Sequence, residues 1–177
     1  MAPRKPHVCL MTTSQAPGPL RKTGRPPPEV LAARARKRAE AEAVGLDGAF
    51  ISGLVEHFYG HVRADPVLGP IFAAHVADWP EHLARLKQFW RSILHASGEF
   101  TGNPMQKHMA LGQLDEAHFA RWLDLFYATL TELGAGDAAR KLAGARARMI
   151  ADSLLTGIAT RHLGLGGARA GDRLPRP

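Results

Sequence analysis

Apolar residues recur at spacings of three and four along four long stretches of the chain, which is the period of an amphipathic α-helix. A polar residue that can cap the first turn precedes each of the first three stretches: Asp47, Asp78 and Asp115. The fourth stretch begins at Gly136-Asp137, and its predicted inward face is Leu142, Met149, Ile150, Leu154 and Ile158. β-branched residues never alternate with polar ones for more than a few positions, so the pattern predicts an all-α fold.

Two short helical segments are predicted between the long ones. Asn103-Pro104 is a cap followed by proline at the first helical position, so we expect a short helix that carries His108. Asp65-Pro66 opens a turn of helix in the same way, and the Gly69-Pro70 pair is expected to interrupt it.

Charge divides the chain into three parts. Residues 1–43 hold nine basic and three acidic residues, whereas residues 44–163 hold 11 and 12, so the net charge of +7 belongs to the ends. We therefore expect a folded domain at 44–163. The Pro- and Arg-rich extension at 1–43 is expected to be disordered or loosely helical, and residues 164–177 to be a flexible tail.

Several chemistries find no support in the sequence. Cys9 is the only cysteine, which excludes an intramolecular disulfide and a cysteine metal cluster. The first 20 residues hold no apolar run long enough for a signal peptide or a membrane span. No phosphate-binding loop, HExxH motif, EF-hand or nucleophile with an orienting base is found. We expect a cytoplasmic protein without a membrane or nucleic-acid partner.

Three residues with a capacity for chemistry remain. Tyr59 and His82 lie on apolar helical stripes, and His108 lies on the short Pro-capped segment. A histidine on an apolar face is more often a packed core residue than a ligand, and aromatic residues at helical spacing are more often plain core. Periodicity alone therefore predicts only a small helical bundle.

Five segments in order carry a resemblance to a known family. They are FYGHVRADPVLGPIF at 58–72, Trp79 with His82 three residues on, FW at 89–90, GNPMQKHMAL at 102–111 and HFARWLDLF at 118–126. Together they resemble the group III (P-type) truncated haemoglobins, from about residue 48 to residue 158. The resemblance implies a truncated globin fold, a two-over-two helical sandwich, with haem b as cofactor.

The resemblance also implies roles for individual residues. His108 matches the family's proximal iron ligand, and physically its Nδ1–H would be held by a backbone carbonyl of the same short helix. Tyr59 and Trp122 match the distal hydrogen-bond donors. His82 matches the distal-helix position, where it could donate to the ligand, act as a gate or bind the iron itself. The haem wall would be formed by Phe72, Phe58, Leu86, Phe89, Trp90 and Met105.

The implied function is reversible binding of dioxygen, and of other diatomic ligands such as nitric oxide and carbon monoxide, by a monomer, as in oxygen transport. One alternative is a haem-dependent nitric-oxide dioxygenase or peroxidase-like detoxification, which would need a separate reductase because the chain has no flavin or nicotinamide domain. The other is a haem-free helical interaction module whose basic arm binds nucleic acid. Whether the protein is an enzyme stays open. Candidate partners for the haem propionates are Lys107, Arg85 and Arg91.

Overall fold

A computed structural model describes residues 26–111, 114–167 and 169–177. Within those ranges the chain forms helices and loops and no strand, which confirms the prediction of an all-α fold. The helices are α1 Pro28–Ala43, α2 Gly48–Ala64, α3 Leu68–His75, α4 Trp79–Leu94, α5 Pro104–Ala110, α6 Glu116–Glu132 and α7 Asp137–Leu163, followed by a 3₁₀ turn at Gly164–Gly167. None of the helices in this part of the chain is long and apolar enough to span a membrane.

The predicted helix caps are present. The side chains of Asp47, Asp78, Asn103 and Asp115 each accept a hydrogen bond from the backbone N–H three residues on, at 2.7–3.1 Å. At the start of α6 the imidazole of His118 accepts a hydrogen bond from the backbone N–H of Asp115, which completes a capping box. These caps were predictable because each side chain bonds within its own first turn.

The start of α3 differs from the prediction. Gly69 and Pro70 do not interrupt a helix, because α3 begins at Leu68 and runs through both. Both residues lie in its first turn, where a proline N–H is not needed. A Cβ on Gly69 would lie 2.7 Å from the carbonyl oxygen of Arg63, so the missing side chain lets α3 pack closely against the end of α2.

The buried face of α7 also differs from the prediction. Met149 was expected to point inward, but it is 51% exposed. Leu154 and Ile158 are buried as predicted, whereas Leu142 and Ile150 are only half-buried. Much of the buried face is made of small residues, namely Ala139, Ala143, Gly144, Ala147 and Ala151. Small side chains let the helices approach closely, and a pattern of large apolar residues does not reveal such a face.

The helices pack as two pairs. α2 packs on α4, α6 packs on α7, and α2 crosses α6 so that the pairs form one core. Phe58, Trp90 and Phe126 lie at the centre of this core and are almost fully buried. The short helix α5 packs on α7. The expected two-over-two sandwich is therefore observed.

Both segments flanking 44–163 contribute to the fold where they are described. Residues 1–25 lie outside the described ranges, but α1 follows and buries Ala41 in the core. Near the other end of the sequence, Leu174 is 3% exposed. The guanidinium of Arg148 donates to the carbonyl oxygens of Leu174 and Gly171 at 3.2 and 2.9 Å. This packing contrasts with the flexible tail that the composition predicts. The segment has few large apolar residues, but Arg148 on α7 donates hydrogen bonds to its backbone carbonyl groups.

Candidate functional site

Half-buried apolar side chains from α3, α4, α5 and α6 pack against the closed core. They pack on the closed core with one side and leave the other partly exposed: Phe72, Trp79, Leu83, Leu86, Phe89, Met105, Met109 and Trp122. A partly exposed apolar surface of this composition is suited to a large apolar ligand.

Four aromatic rings meet where α2, α3 and α4 come together. The ring of Tyr59 lies 5.8 Å from that of Phe72 and 6.0 Å from that of His82, measured between centroids. Trp79 stacks on Phe72 at 6.2 Å and meets the edge of His82 at 5.6 Å. The structure thus brings together Tyr59, His82 and Phe72, which come from α2, α4 and α3.

Tyr59 is held as a protonated phenol. Burial raises the pKa of its hydroxyl well above the ordinary value, and a hydrogen bond from the side chain of Trp122 opposes that shift without cancelling it. Trp122 itself stacks on Phe126 at 5.6 Å and meets the edge of Phe58 at 5.2 Å. The phenol O–H and the indole N–H are therefore two neighbouring donors at the same place.

His82 has an unsatisfied nitrogen. Its Nε2 atom is inaccessible to solvent and has no hydrogen-bond partner. Burial lowers the pKa of the imidazole, and the positive charge of Arg85 lowers it further. The ring is thus held in its neutral form near neutral pH. A buried polar atom without a partner is uncommon in proteins and points to a group that would complete the site.

His108 has a defined tautomer. Its Nδ1 lies 2.8 Å from the carbonyl oxygen of Pro104, at the start of the same helix. A carbonyl can only accept, so Nδ1 carries a proton and Nε2 is the nitrogen left for a ligand. The ring is half-buried, 6.5 Å from that of Phe119. The predicted hydrogen bond to a carbonyl of the short helix is confirmed.

The other expected wall residues divide into two sets. Leu86, Phe89 and Met105 are half-buried, as Phe72 is. Phe58 and Trp90 are 0% and 1% exposed, so they support the wall from inside the core. Large aromatic residues on the inward-facing stripe of a helix are usually buried in the core.

Two contacts near the site have no local signal in the sequence. The guanidinium carbon of Arg63 lies 4.7 Å from the ring centroid of Trp79. Nε of Arg121 donates to Oδ2 of Asp65 at 2.7 Å, Nη2 of Arg121 lies 2.7 Å from the same oxygen, and the Asp65 carboxyl group is 1% exposed. The two partners of each contact are far apart in the chain, so the sequence alone does not predict that they meet. The sequence predicted only the helices themselves and the role of Asp65 as a cap.

The candidate propionate partners are not equivalent. Arg91 donates to the carboxylate of Glu99 from two nitrogens, at 3.0 and 2.6 Å to the same oxygen. Arg85 lies 3.8 Å from Glu81 on the exposed face of α4, and Lys107 is exposed on α5. Within the described residues no group of three or more His, Cys, Asp or Glu side chains could hold a metal ion.

The helix order and the residues of the candidate site define the class of the truncated globins. A group 3 truncated haemoglobin of Campylobacter jejuni is 38% identical over 84 residues, which span 45% of this chain and 66% of that protein. The crystal structure of a group III truncated haemoglobin from the same organism superposes with a TM-score of 0.58 at 33% identity, covering 61% of this chain and 87% of the other.

The family profile described as bacterial-like globin matches residues 41–154, and the chain belongs to this family. The likeness to group III truncated haemoglobins expected from the sequence motifs is thereby confirmed. Membership implies haem binding, and three observations fit that group. They are the half-buried apolar surface, the His108 ring held through Nδ1 by the carbonyl of Pro104, and the unpartnered Nε2 of His82.

Proposed function

We propose that the chain binds haem b with His108 as the axial ligand and binds dioxygen and other small diatomic ligands reversibly. The observation that carries this proposal is the hydrogen bond from His108 Nδ1 to the carbonyl of Pro104. It aims one imidazole and leaves a lone pair on Nε2, which is what an axial ligand of haem iron requires.

Bound haem would supply an iron atom at which a diatomic ligand can bind. The half-buried faces of Phe72, Leu86 and Met105 would exclude water from its apolar surface. Exclusion of water strengthens every hydrogen bond that the surrounding residues donate, because the local dielectric constant is low.

The distal donors are Tyr59 and Trp122. Since burial raises the pKa of Tyr59, its O–H stays protonated across the physiological pH range. A phenol O–H and an indole N–H stabilise a ligand that gains partial negative charge and do nothing for a neutral one. This arrangement favours dioxygen over carbon monoxide.

His82 completes the distal side of the proposed site. Its imidazole is kept neutral by burial and by Arg85, so a ring nitrogen can either donate or accept once a partner arrives. We assign it to this side because its Nε2 has no partner in the protein and its ring lies 6.0 Å from that of Tyr59.

The protein is proposed to act as a cytoplasmic monomer. An enzymatic role such as nitric-oxide dioxygenation would call for a separate reductase, because the described residues form helices alone and no flavin- or nicotinamide-binding domain.

The test is the absorption spectrum of the full chain after addition of one equivalent of hemin, recorded in the ferric, ferrous and carbonyl forms. We expect a strong Soret band that saturates at one hemin per chain and shifts when carbon monoxide is added. A featureless, non-saturating spectrum would contradict the proposal and support a haem-free helical module instead.

A further inference from the structure

Arg63 and Trp79 join the last turn of α2 to the first turn of α4. The guanidinium carbon of Arg63 lies 4.7 Å from the centroid of the Trp79 ring, which is the distance of a cation–π contact. Arg63 is exposed and Trp79 is half-buried. The cation therefore covers the tryptophan from the solvent side.

Trp79 in turn covers His82. Its ring meets the imidazole edge-on at 5.6 Å and stacks on Phe72 at 6.2 Å, with 25° between the two planes. Behind His82 lies the ring of Tyr59, 6.0 Å away and 5% exposed. Arg63 is exposed, Trp79 and His82 are half-buried and Tyr59 is 5% exposed, so these contacts lead from the solvent side to a buried distal donor.

We propose that Arg63 and Trp79 form the outer wall of the distal site and limit by size which ligands reach Tyr59. The inference rests on the proposed function, because it concerns entry to that same site. Movement along this line requires the Trp79 ring to swing away, which breaks its contacts with Arg63 and Phe72. Arg63 acts through Trp79 and is therefore a positioning residue.

The test uses the full haem-loaded chain in its ferrous form, with carbon monoxide and alkyl isocyanides of increasing size as ligands. We expect Trp79→Ala to raise the association rate of carbon monoxide about fivefold and that of n-butyl isocyanide by a larger factor. Arg63→Ala should raise the carbon monoxide rate about two- to fivefold, the range expected from loss of one cation–π contact at a partly exposed site.

The double variant Arg63→Ala/Trp79→Ala tests whether Arg63 acts by holding Trp79 in place or only through its positive charge. If Arg63 acts through Trp79, then Arg63→Ala has no further effect on association rates in a Trp79→Ala background. Arg36→Ala removes the same charge from an exposed position on α1 and should leave both rates unchanged. Equal effects of Arg63→Ala in both backgrounds, or a Trp79→Ala rate within twofold of the parent for every ligand, would overturn the inference.

A second readout needs no diatomic ligand. In the full chain labelled with 5-fluorotryptophan, the Trp79 resonance is identified by its loss in Trp79→Phe. We expect Arg63→Ala to shift this resonance and to leave that of buried Trp90 in place. If the Trp79 resonance is unchanged in Arg63→Ala, the proposed role of Arg63 in holding Trp79 is contradicted, even if hemin binds. Failure to take up hemin contradicts the proposed function alone.

Discussion

The imidazole of His108 donates a hydrogen bond of 2.8 Å from Nδ1 to the carbonyl oxygen of Pro104, four residues earlier in the same short helix. His75 makes the same bond, also at 2.8 Å, to the carbonyl oxygen of Ile71 on α3, but its ring is exposed. The two histidines share a tautomer and differ in their surroundings.

This pair supplies a matched test of the axial ligand. We expect His108→Ala to abolish saturable, one-to-one uptake of hemin, or to remove the normal ferrous carbonyl spectrum, because no other described histidine lies on α5. His75→Ala should leave both unchanged. The measurement is a hemin titration followed in the Soret region, and an unaltered carbonyl spectrum in the first variant would exclude His108 as the ligand.

Removal of the Tyr59 hydroxyl should speed dioxygen release. A hydrogen bond to a partially charged acceptor contributes about 1.5–3 kcal/mol, which corresponds to roughly a ten- to hundredfold faster dissociation in Tyr59→Phe. Carbon monoxide dissociation should change much less, because that ligand carries little charge. Stopped-flow mixing measures both rates.

Tyr127 provides the control for this prediction. Its hydroxyl donates to the carbonyl oxygen of Pro175 at 3.1 Å, on the α6 surface that holds residues 169–177. Tyr127→Phe removes the same atom and should leave dioxygen release at the parental rate. A rate for Tyr59→Phe that matches that of Tyr127→Phe would exclude Tyr59 as the distal donor.

The Asp65 carboxylate should make stability depend on pH. Burial by itself raises the pKa of Asp65, but hydrogen bonds from the backbone of Leu68, from Arg121 and from the backbone of Val67 outweigh burial and lower the pKa. A group with a lowered pKa in the folded state stabilises the fold fully above its unfolded pKa, near 3.8. This contribution is lost as the pH falls through the lower, folded value.

We therefore expect Asp65→Asn to lower the free energy of unfolding by about 1–3 kcal/mol at pH 7, because a buried carboxylate loses its charge-assisted hydrogen bonds while its partner Arg121 is 47% exposed. The difference from the parent should shrink below about pH 4. Asp137→Asn breaks an ion pair whose carboxyl group is 94% exposed and should cost no more than about 1 kcal/mol. Urea unfolding between pH 2.5 and 7 measures both, and an equal cost at all pH values would contradict the assignment.

Gly69 should resist substitution where Gly60 does not. A Cβ at Gly69 would lie 2.7 Å from the backbone oxygen of Arg63, and backbone cannot move aside cheaply. We expect Gly69→Ala to cost about 1–3 kcal/mol. Gly60 lies inside α2 with no atom within 4 Å of its Cβ position, so Gly60→Ala should stabilise the fold by about 0.5–1 kcal/mol. Thermal and urea unfolding of the two variants should shift in opposite directions.

The starts of α2, α4, α5 and α6 were predictable, whereas the buried face of α7 was not. Asn103 bonds to the backbone of Gln106 three residues on, so cap and partner lie in one short stretch of sequence. The predicted hydrogen bond of His108 is local in the same way. On α7, by contrast, Met149 is exposed while Ala143 and Ala147 are buried. Which face of that helix is buried depends on how closely its neighbours approach.

The candidate site shows the same division. Motif resemblance selected Tyr59, His82 and His108, and the structure places the first two within 6.0 Å of each other, measured between ring centroids. The motif resemblance did not reveal that Nε2 of His82 would lack a hydrogen-bond partner, because this depends on every side chain packed around the imidazole. Phe58 and Trp90, selected as wall residues, lie closed in the core.

The sequence by itself determined the helical class, the positions of the caps and the order of motifs that leads to the bacterial-like globin family, because these depend on residues close together in the chain. Only the tertiary structure decided that Arg63 covers Trp79 and that Arg121 neutralises a buried Asp65 from 56 residues away. Such pairs form where helices distant in sequence meet, and their energies depend on burial and distance, which local periodicity does not encode.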